Sequence, residues 1–222
     1  MKTLAILRDQ LRVMLSRAGL RPGEYSGDYD RLSRLYRRPD PWRLDNDGDR
    51  VRFERTNALI ARIAPGADSL LEIGAGEGMQ TEYLARLGAR ITTIEVSADA
   101  VARARERVPD ARILHGRAEG VATLVAGQRF DVAVACEVLY YLPDPAVLIA
   151  ALQRIADRVV VTNYARLDHR IAPLLASDGW QCCDDIRHGR AAWHCHVWTA
   201  PPTDRSAACT GPARSICKEA SR

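Results

Sequence analysis

The segment from Ser69 to Thr81 holds the residues whose types and spacing most clearly suggest chemistry. A short apolar run leads into Gly74, Gly76 and Gly78, which alternate through a turn before a helix-compatible stretch begins. Glycine permits positive φ angles and lets the backbone approach a ligand that a Cβ atom would exclude. A dinucleotide site needs Gly-x-Gly-x-x-Gly, and its third glycine would fall on Met79. The spacing therefore predicts a cofactor-binding strand–turn–helix and disfavours NAD.

Two acidic residues flank this turn. Glu72 ends the predicted strand, where its carboxylate would repel a pyrophosphate and attract an ammonium or sulfonium group. S-adenosylmethionine carries both of these cationic groups. Glu95 ends the next predicted strand roughly 20 residues after the turn, where a carboxylate can bind the hydroxyls of a ribose. The two acids favour S-adenosylmethionine as the cofactor; the alternative is a domain whose glycines only tighten a turn.

This combination resembles the class I S-adenosylmethionine-dependent methyltransferases. The resemblance implies that the turn and the acid before it hold the methionine portion of the cofactor, and that the acid after the second strand binds both ribose hydroxyls. It also implies that the segment after the third strand contacts adenine, with stacking of Arg117 on the base as an alternative contact. The implied cofactor-binding residues are Glu72, Gly74, Gly76, Gly78, Glu95, Ala118, Glu119 and Cys136.

Three further segments narrow the resemblance to one group. Ala135–Leu142, Asp40–Asp45 and Phe53–Arg55 resemble the nodulation protein S group, and the similarity covers roughly residues 38–145. Those enzymes N-methylate the free amine of a de-N-acetylated chitooligosaccharide, so the resemblance implies N-methylation of an amino sugar or a similar small polar acceptor. Two alternatives stay open: an O-methyltransferase acting on a small natural product or an RNA end, and a non-catalytic module that senses a nucleoside.

The residues after the fourth predicted strand, Phe130–Cys136, lie where a methyl group would meet its acceptor. Glu137 and Tyr140 are the catalytic candidates, because transfer to nitrogen needs a positioned amine that has lost its proton. The alternative is that Glu137 caps the following turn and that the tyrosine packs in the core.

Aromatic residues elsewhere predict a lid and a binding face for the acceptor. Tyr36 and Trp42 lie in a polar segment and need a packing partner, so we expect them, with Tyr141, to stack on a sugar face or on adenine. Core packing is the alternative. His169 follows the fifth predicted strand and is a further substrate-binding candidate, unless it is a solvated histidine at the start of a helix.

Metal binding is not expected. His194 and His196 alternate along a predicted strand, with Cys182 and Cys183 in the strand before it. Their spacing matches no usual zinc pattern, and the six cysteines include no C-x-x-C pair.

The alternation of apolar runs and amphipathic stretches predicts the fold class. We expect an α/β, Rossmann-like, seven-stranded and mostly parallel sheet with helices on both faces, an antiparallel edge strand and an N-terminal helical cap. The predicted strands are 69–73, 89–95, 111–115, 130–136, 158–163, 180–188 and 191–200, and the predicted helices are 51–64, 81–87, 97–108, 146–156 and 168–176.

Length and composition predict one core with additions. The chain has 222 residues, of which 47% are hydrophobic. We expect a helical cap or substrate lid at 1–64, a Rossmann-like domain at 65–200 and a disordered tail at 201–222. The amphipathic stretch at 1–20 predicts a helix that packs on the domain or on the second subunit of a homodimer.

Charge and hydropathy limit the partners. The formal net charge is +4, and no basic stripe with interleaved aromatic residues is present, so a nucleic-acid partner is not expected. No apolar run approaches the roughly 20 residues of a membrane span. Charged residues interrupt the N-terminal stretch, unlike a signal peptide, so we expect a cytoplasmic protein without a membrane partner.

Overall fold

The structure is a computed structural model, and it describes residues 27–201. The helix predicted at 1–20 and all of the predicted tail except Pro201 lie outside the described residues. The strands are β1 (Ser69–Ile73), β2 (Arg90–Glu95), β3 (Arg112–His115), β4 (Phe130–Cys136), β5 (Ala156–Tyr164), β6 (Trp180–His188) and β7 (Ala191–Thr199).

Helices connect the strands and precede the sheet. The α-helices are α1 (Tyr29–Leu35), α2 (Asp47–Ile63), α3 (Met79–Ala85), α4 (Ala98–Arg107), α5 (Val121–Leu124), α6 (Pro145–Ile155) and α7 (Ala165–Asp168). Short 3-10 turns lie at Ala118–Gly120, Leu139–Tyr141 and Ala172–Leu175.

The seven strands form one sheet in the order β3-β2-β1-β4-β5-β7-β6. Strands β1 to β5 are parallel to one another, whereas β7 is antiparallel to both β5 and β6. Because the order reverses between β1 and β4, the carboxyl ends of β1, β2 and β4 leave a crevice where ligands bind in open α/β sheets. The predicted fold class is confirmed.

The centre of the sheet is apolar because helices cover both of its faces. Val132, Ala133 and Val134 in β4 are fully buried, and so is the run from Val159 to Val161 in β5. Side chains of one strand alternate between two core clusters: Ala133 packs on the face that α6 covers, and Val134 on the opposite face. Burial on both faces holds the strand ends rigid beneath the crevice.

Capping residues explain where two of the helices begin. Asn46 precedes α2, and its Oδ1 accepts a hydrogen bond from the Asp49 backbone nitrogen at 3.0 Å. The helix therefore begins four residues before the predicted Val51, at Asp47. Asp144 caps α6, with Pro145 in its first turn.

The helix predicted over 168–176 is wrong. The chain forms the four-residue α7, which ends at Asp168, and then a separate 3-10 turn at Ala172–Leu175 that contains Pro173. Asp168 is buried, and its carboxylate binds Asn163 at 2.9 Å and His196 at 3.1 Å, so it belongs to the core instead of opening a helix. Proline removes a backbone donor, which limits helix formation after that point.

The described helices can be compared with the length and hydropathy of a membrane span. Within residues 27–201, none combines the length and the apolar character that a membrane span requires.

Candidate cofactor and acceptor site

The glycine turn lies between β1 and α3, and its three glycines adopt positive φ angles. Gly74 has φ +76°, and its nitrogen donates to the carbonyl of Ile94 at 2.8 Å. A Cβ atom on Gly74 would lie 2.8 Å from Cγ2 of Val138, and one on Gly76 would lie 2.9 Å from the hydroxyl of Tyr36. Both positions therefore require glycine, for space as well as for conformation.

The third glycine of the turn brings α3 close to α4. Gly78 has φ +82° and directly precedes α3. A Cβ atom here would lie 3.2 Å from Cα of Ala104 in α4. Beside it, the backbone carbonyl of Glu77 accepts a hydrogen bond from Nε of Arg107 at 3.0 Å.

The two predicted cofactor acids are both buried at strand ends. Glu72 is 2% exposed, and its carboxylate accepts a hydrogen bond from Oγ1 of Thr81 at 2.5 Å. Glu95 is 5% exposed and accepts from the backbone nitrogens of Gly76 at 2.9 Å and Ser97 at 2.8 Å. The second acid therefore ties β2 to the glycine turn.

Burial of the two carboxylates makes binding of a positively charged group in this crevice favourable. Loss of water raises the pKa of Glu72 to about 7, and the nearby charge of Glu95 adds to that rise. Burial raises the pKa of Glu95 as well, against the hydrogen bonds that it accepts from backbone nitrogens. A cation between these carboxylates would lower the pKa of both, so the donor set fits a ligand with ammonium and sulfonium groups.

The predicted adenine segment lies after β3, in contact with α1. Ala118 is buried, and the Tyr29 hydroxyl donates to Oε1 of Glu119. The guanidinium of Arg117 lies 4.9 Å from the centre of the Tyr29 ring. Oε2 of Glu119 is buried without a hydrogen-bond partner among residues 27–201. One carboxylate oxygen of Glu119 therefore makes no hydrogen bond to the described residues.

Glu137, immediately after β4, adopts an unusual backbone conformation. It has φ +59°, in the left-handed region that non-glycine residues adopt at a cost of about 1–3 kcal/mol. Its Oε2 accepts from the Tyr140 hydroxyl at 2.9 Å, whereas its Oε1 is buried and makes no hydrogen bond of ordinary geometry in the described part of the chain. Burial raises the pKa of Glu137 to about 7, and the positive charge of Arg52, the Tyr140 hydroxyl and the Tyr164 backbone oppose that rise.

Aromatic rings form a row from the glycine turn to this carboxylate. Nε1 of Trp42 donates to the Tyr36 hydroxyl at 2.9 Å, and their ring centres are 6.4 Å apart. Trp42 lies 5.6 Å from Tyr141, which in turn lies 4.7 Å from Tyr140. The structure therefore brings together the predicted lid residues and both catalytic candidates.

Cys136 ends β4, next to the catalytic candidates. Burial raises the pKa of its thiol to about 11, so the thiol is protonated near neutral pH. A protonated thiol is a weak nucleophile, and Cys136 packs against the core cluster beneath this face of the sheet.

The histidines that the sequence singled out lie away from the crevice. His169 is exposed at the end of α7, and the structure gives it no hydrogen bond to the residues of the crevice. His194 binds Asp185 at 2.7 Å, and His196 belongs to the buried group around Asp168. Across residues 27–201, no three histidine, cysteine or acidic residues come together in a way that could hold a metal ion.

Sequence reasoning missed a buried polar group from α2. Arg52 is 3% exposed, pairs with Oδ1 of Asp49 at 3.1 Å and donates to Oε1 of Gln80 at 3.3 Å. The available signal was Asp49, an acid three residues after the capping Asn46 and three residues before Arg52. It was ambiguous, because charged pairs at this spacing usually lie on exposed helix faces.

Glu77 is a second buried polar residue that sequence reasoning missed. It lies inside the glycine turn, yet both of its carboxylate oxygens accept from the backbone nitrogen of Asp40, at 2.9 and 3.0 Å. An acid between two required glycines could have been noticed. Its partner, 37 residues away in the chain, could not have been derived.

The fold and the crevice together define the class. A mostly parallel seven-stranded sheet with β7 reversed, a glycine turn after β1 and buried acids at the ends of β1 and β2 form a Rossmann-like methyltransferase fold. The N-methyltransferase NodS from Bradyrhizobium japonicum WM9, crystallised with S-adenosyl-L-homocysteine, is similar at a TM-score of 0.64 and 25% identity. That match covers 78% of this chain and 98% of the crystallised one.

The sequence comparison names the family. The family model for Nodulation protein S (NodS) matches residues 25–164. The chain therefore belongs to this family. The family resemblance predicted from the sequence is confirmed.

Individual relatives agree with this assignment. Nodulation protein S of Sinorhizobium fredii is 32% identical over 138 residues, which cover 62% of this chain and 63% of the relative. A dTDP-3-amino-3,6-dideoxy-alpha-D-glucopyranose N,N-dimethyltransferase of Streptomyces fradiae is 39% identical over 105 residues, covering 46% of this chain and 40% of that enzyme. The chain thus spans about half the length of the curated relatives it matches.

Proposed function

We propose that this protein transfers a methyl group from S-adenosylmethionine to the free amine of an amino sugar, with a de-N-acetylated chitooligosaccharide as the acceptor class. The observation that carries the proposal is the buried Glu137 carboxylate at the end of an aromatic row, with one oxygen that makes no hydrogen bond of ordinary geometry among the described residues. Family membership and the sugar-amine relative from Streptomyces fradiae support it.

The cofactor half of the proposal rests on the crevice at the ends of β1 and β2. Glu72 and the backbone of the turn would hold the methionine portion, and Glu95 the ribose hydroxyls. Ala118 and Glu119 would line the adenine pocket. When bound, S-adenosylmethionine supplies an electrophilic methyl group on a sulfonium.

The acceptor half assigns two tasks to Glu137. An ammonium group attracted to Oε1 of Glu137 would give this buried acceptor a hydrogen bond of ordinary geometry, which the described residues do not provide. Because burial raises the pKa of Glu137 to about 7, its carboxylate can also take the proton that an amine must lose before it can attack. Tyr140 orients that carboxylate through its 2.9 Å hydrogen bond.

Proximity links the two halves. Val138, the residue after Glu137, touches the glycine turn so closely that a Cβ atom on Gly74 would lie 2.8 Å from its methyl group. An amine at Glu137 is therefore held beside the turn, and positioning of this kind accounts for much of the rate of a transfer between two bound groups.

The aromatic residues divide between two roles. Trp42 and Tyr141 present ring faces that suit the apolar face of a sugar. Tyr36 is buried and lies on Gly76, so its proposed role is to cover the cofactor. His169 stays a prediction as a contact for a distal part of a longer acceptor.

The proposal extends to organisation, partners and compartment. Residues 27–64 would serve as the lid and 65–200 as the catalytic domain, whereas the rest of the predicted cap and tail lies outside the described residues. A nucleic-acid acceptor is disfavoured, because the acids of the crevice would repel phosphates.

The described cysteines Cys136, Cys182, Cys183 and Cys195 are free thiols, which suits a cytoplasmic protein. Pairing of two chains through 1–20 stays a prediction, which sedimentation of the full chain tests.

A product-mass screen tests the function. The full chain is incubated with S-adenosylmethionine and chitooligosaccharides that carry one free amine, with fully N-acetylated oligosaccharides and small phenols as matched controls. We expect a gain of one methyl mass only on the free-amine acceptors. Methylation of the phenols alone would replace the N-methyl proposal with O-methylation, and no product on any acceptor, despite cofactor binding, would favour a nucleoside-sensing module.

A further inference from the structure

Glu77 is a buried acid whose contacts lead away from the crevice. Its side chain is 8% exposed, and both carboxylate oxygens accept from the backbone nitrogen of Asp40. Asp40 belongs to a strap that we define as residues 36–46, between α1 and α2. The glycine turn is therefore tied to the strap through a side chain that the proposed methyl transfer does not use.

Arg103 in α4 completes this connection. Its Nε donates to Oε1 of Glu77 at 2.8 Å, and its Nη2 donates to the backbone carbonyl of Tyr36. The arginine side chain is 28% exposed, so the pair is partly shielded from water. Hydrogen bonds between charged groups in such surroundings are stronger than neutral ones. One arginine and one glutamate thus join the strap, the turn and α4.

The strap itself is bent at the point of attachment. Asp40 has φ +43°, and its Oδ1 accepts from the backbone nitrogen of Leu44 at 2.7 Å. A non-glycine residue holds this conformation only where its surroundings enforce it. The two hydrogen bonds to Glu77 supply that enforcement.

The strap covers the turn where the cofactor is proposed to bind. Tyr36 is 7% exposed, and its hydroxyl lies 2.9 Å from the point that a Cβ atom on Gly76 would occupy. Trp42 holds the same hydroxyl from the other side. A nucleoside bound against the glycine turn would therefore have the strap as one of its walls.

We propose that Glu77 and Arg103 are positioning residues that latch the strap over the bound cofactor and so set how slowly its demethylated product leaves. This inference rests on the proposed function. The latch borders an open groove of about 360 Å³ lined by Pro39, Glu77, Arg103, Glu106 and Arg107. Glu77 therefore lines this groove, and it can be substituted while Glu72 and Glu95 are kept.

Surface plasmon resonance with the full chain immobilised and S-adenosylhomocysteine as the probe tests the latch. We expect Glu77→Gln and Arg103→Leu each to raise the dissociation rate constant about tenfold, because each removes a charge-assisted contact. The double variant should be no faster than the faster single one, since both changes break one unit. Arg103→Lys, which keeps the charge but loses the forked contact, should fall between.

The matched control is Arg129→Leu, which breaks the 2.8 Å ion pair with Asp157 at the surface. A dissociation rate for Arg103→Leu within twofold of this control would overturn the latch, even if both variants melt at a lower temperature. Failure of the wild-type chain to bind the probe would instead reject the proposed function. The two failures are therefore distinguishable.

Discussion

The cofactor crevice at the ends of β1 and β2 differs in backbone conformation from the acceptor row, by which we mean Trp42, Tyr141, Tyr140 and Glu137. In the crevice, positive φ angles fall on Gly74, Gly76 and Gly78, where they cost little. In the strap and the acceptor row they fall on Asp40, Arg43 and Glu137, where side chains oppose them. The crevice is thus built into the local sequence, whereas the acceptor row depends on tertiary contacts to hold strained residues in place.

This contrast predicts that the two regions fail differently when altered. A change in the crevice should weaken cofactor binding and leave the aromatic row intact. A change in the acceptor row should spare cofactor binding and lower turnover.

The largest effect is expected from Glu137→Gln. The amide keeps the shape but cannot take a proton, so kcat should fall on the order of 100-fold, the lower range for loss of a general base. Steady-state kinetics with a free-amine chitooligosaccharide measures this, with calorimetry of S-adenosylhomocysteine binding in parallel. Glu82→Gln, on the exposed face of α3, is the control. Weakened binding of S-adenosylhomocysteine by Glu137→Gln, with unchanged kcat, would reverse the assignment of the two regions.

The next largest effect is expected from Glu95→Ala. This change removes the acceptor for the Gly76 and Ser97 nitrogens as well as the proposed ribose contact. Two or more charge-assisted hydrogen bonds are lost, so the Kd for S-adenosylhomocysteine should rise about 100-fold. Isothermal calorimetry gives the value, and circular dichroism checks that the sheet is retained. An unchanged Kd in a folded variant would remove Glu95 from the cofactor site.

A smaller effect is expected from Gly76→Ala, and it tests where the strap and the turn meet. The added Cβ atom would lie 2.9 Å from the Tyr36 hydroxyl, and the residue would keep φ +54°. We expect cofactor affinity to fall about tenfold from strain and displacement of the strap. Adding Tyr36→Phe frees the space and should restore part of the loss. If the second change worsens binding by the same factor in both backgrounds, the two residues do not compete for space.

The last prediction concerns the pH dependence of stability instead of binding or turnover. Burial raises the pKa of Glu72 from 4.5 to about 7 in the folded chain, so the stability that it contributes is present below pH 4.5 and is lost as pH rises through about 7. The ligand-free chain should therefore lose up to about 3 kcal/mol between pH 5 and pH 8 through this group. Urea unfolding at both pH values measures the loss, and Glu72→Gln should reduce it. An equal loss in the variant would assign the pH dependence to other groups.

Local sequence was sufficient for the crevice. The three glycines and two acids have conformational and chemical requirements that operate within a few residues, so their roles follow from spacing. The sheet followed for the same reason, because β4 and β5 are apolar runs that only a doubly covered sheet can bury.

Long-range packing determined what the sequence left open. Glu77 bonds to Asp40, Arg52 reaches the interior from α2, and Asp168 is drawn into the core by Asn163 and His196. None of these pairings has a periodic signal. The same residue types at these positions would ordinarily be exposed, so their burial could be seen only in the fold.

The most direct test of the central claim is the mass of the acceptor after a single incubation of the wild-type chain with S-adenosylmethionine and a chitooligosaccharide that carries one free amine. We expect a gain of one methyl mass, which disappears when that amine is acetylated beforehand. An unchanged mass in a chain that demonstrably binds S-adenosylhomocysteine, or a methyl gain that survives acetylation, would contradict it.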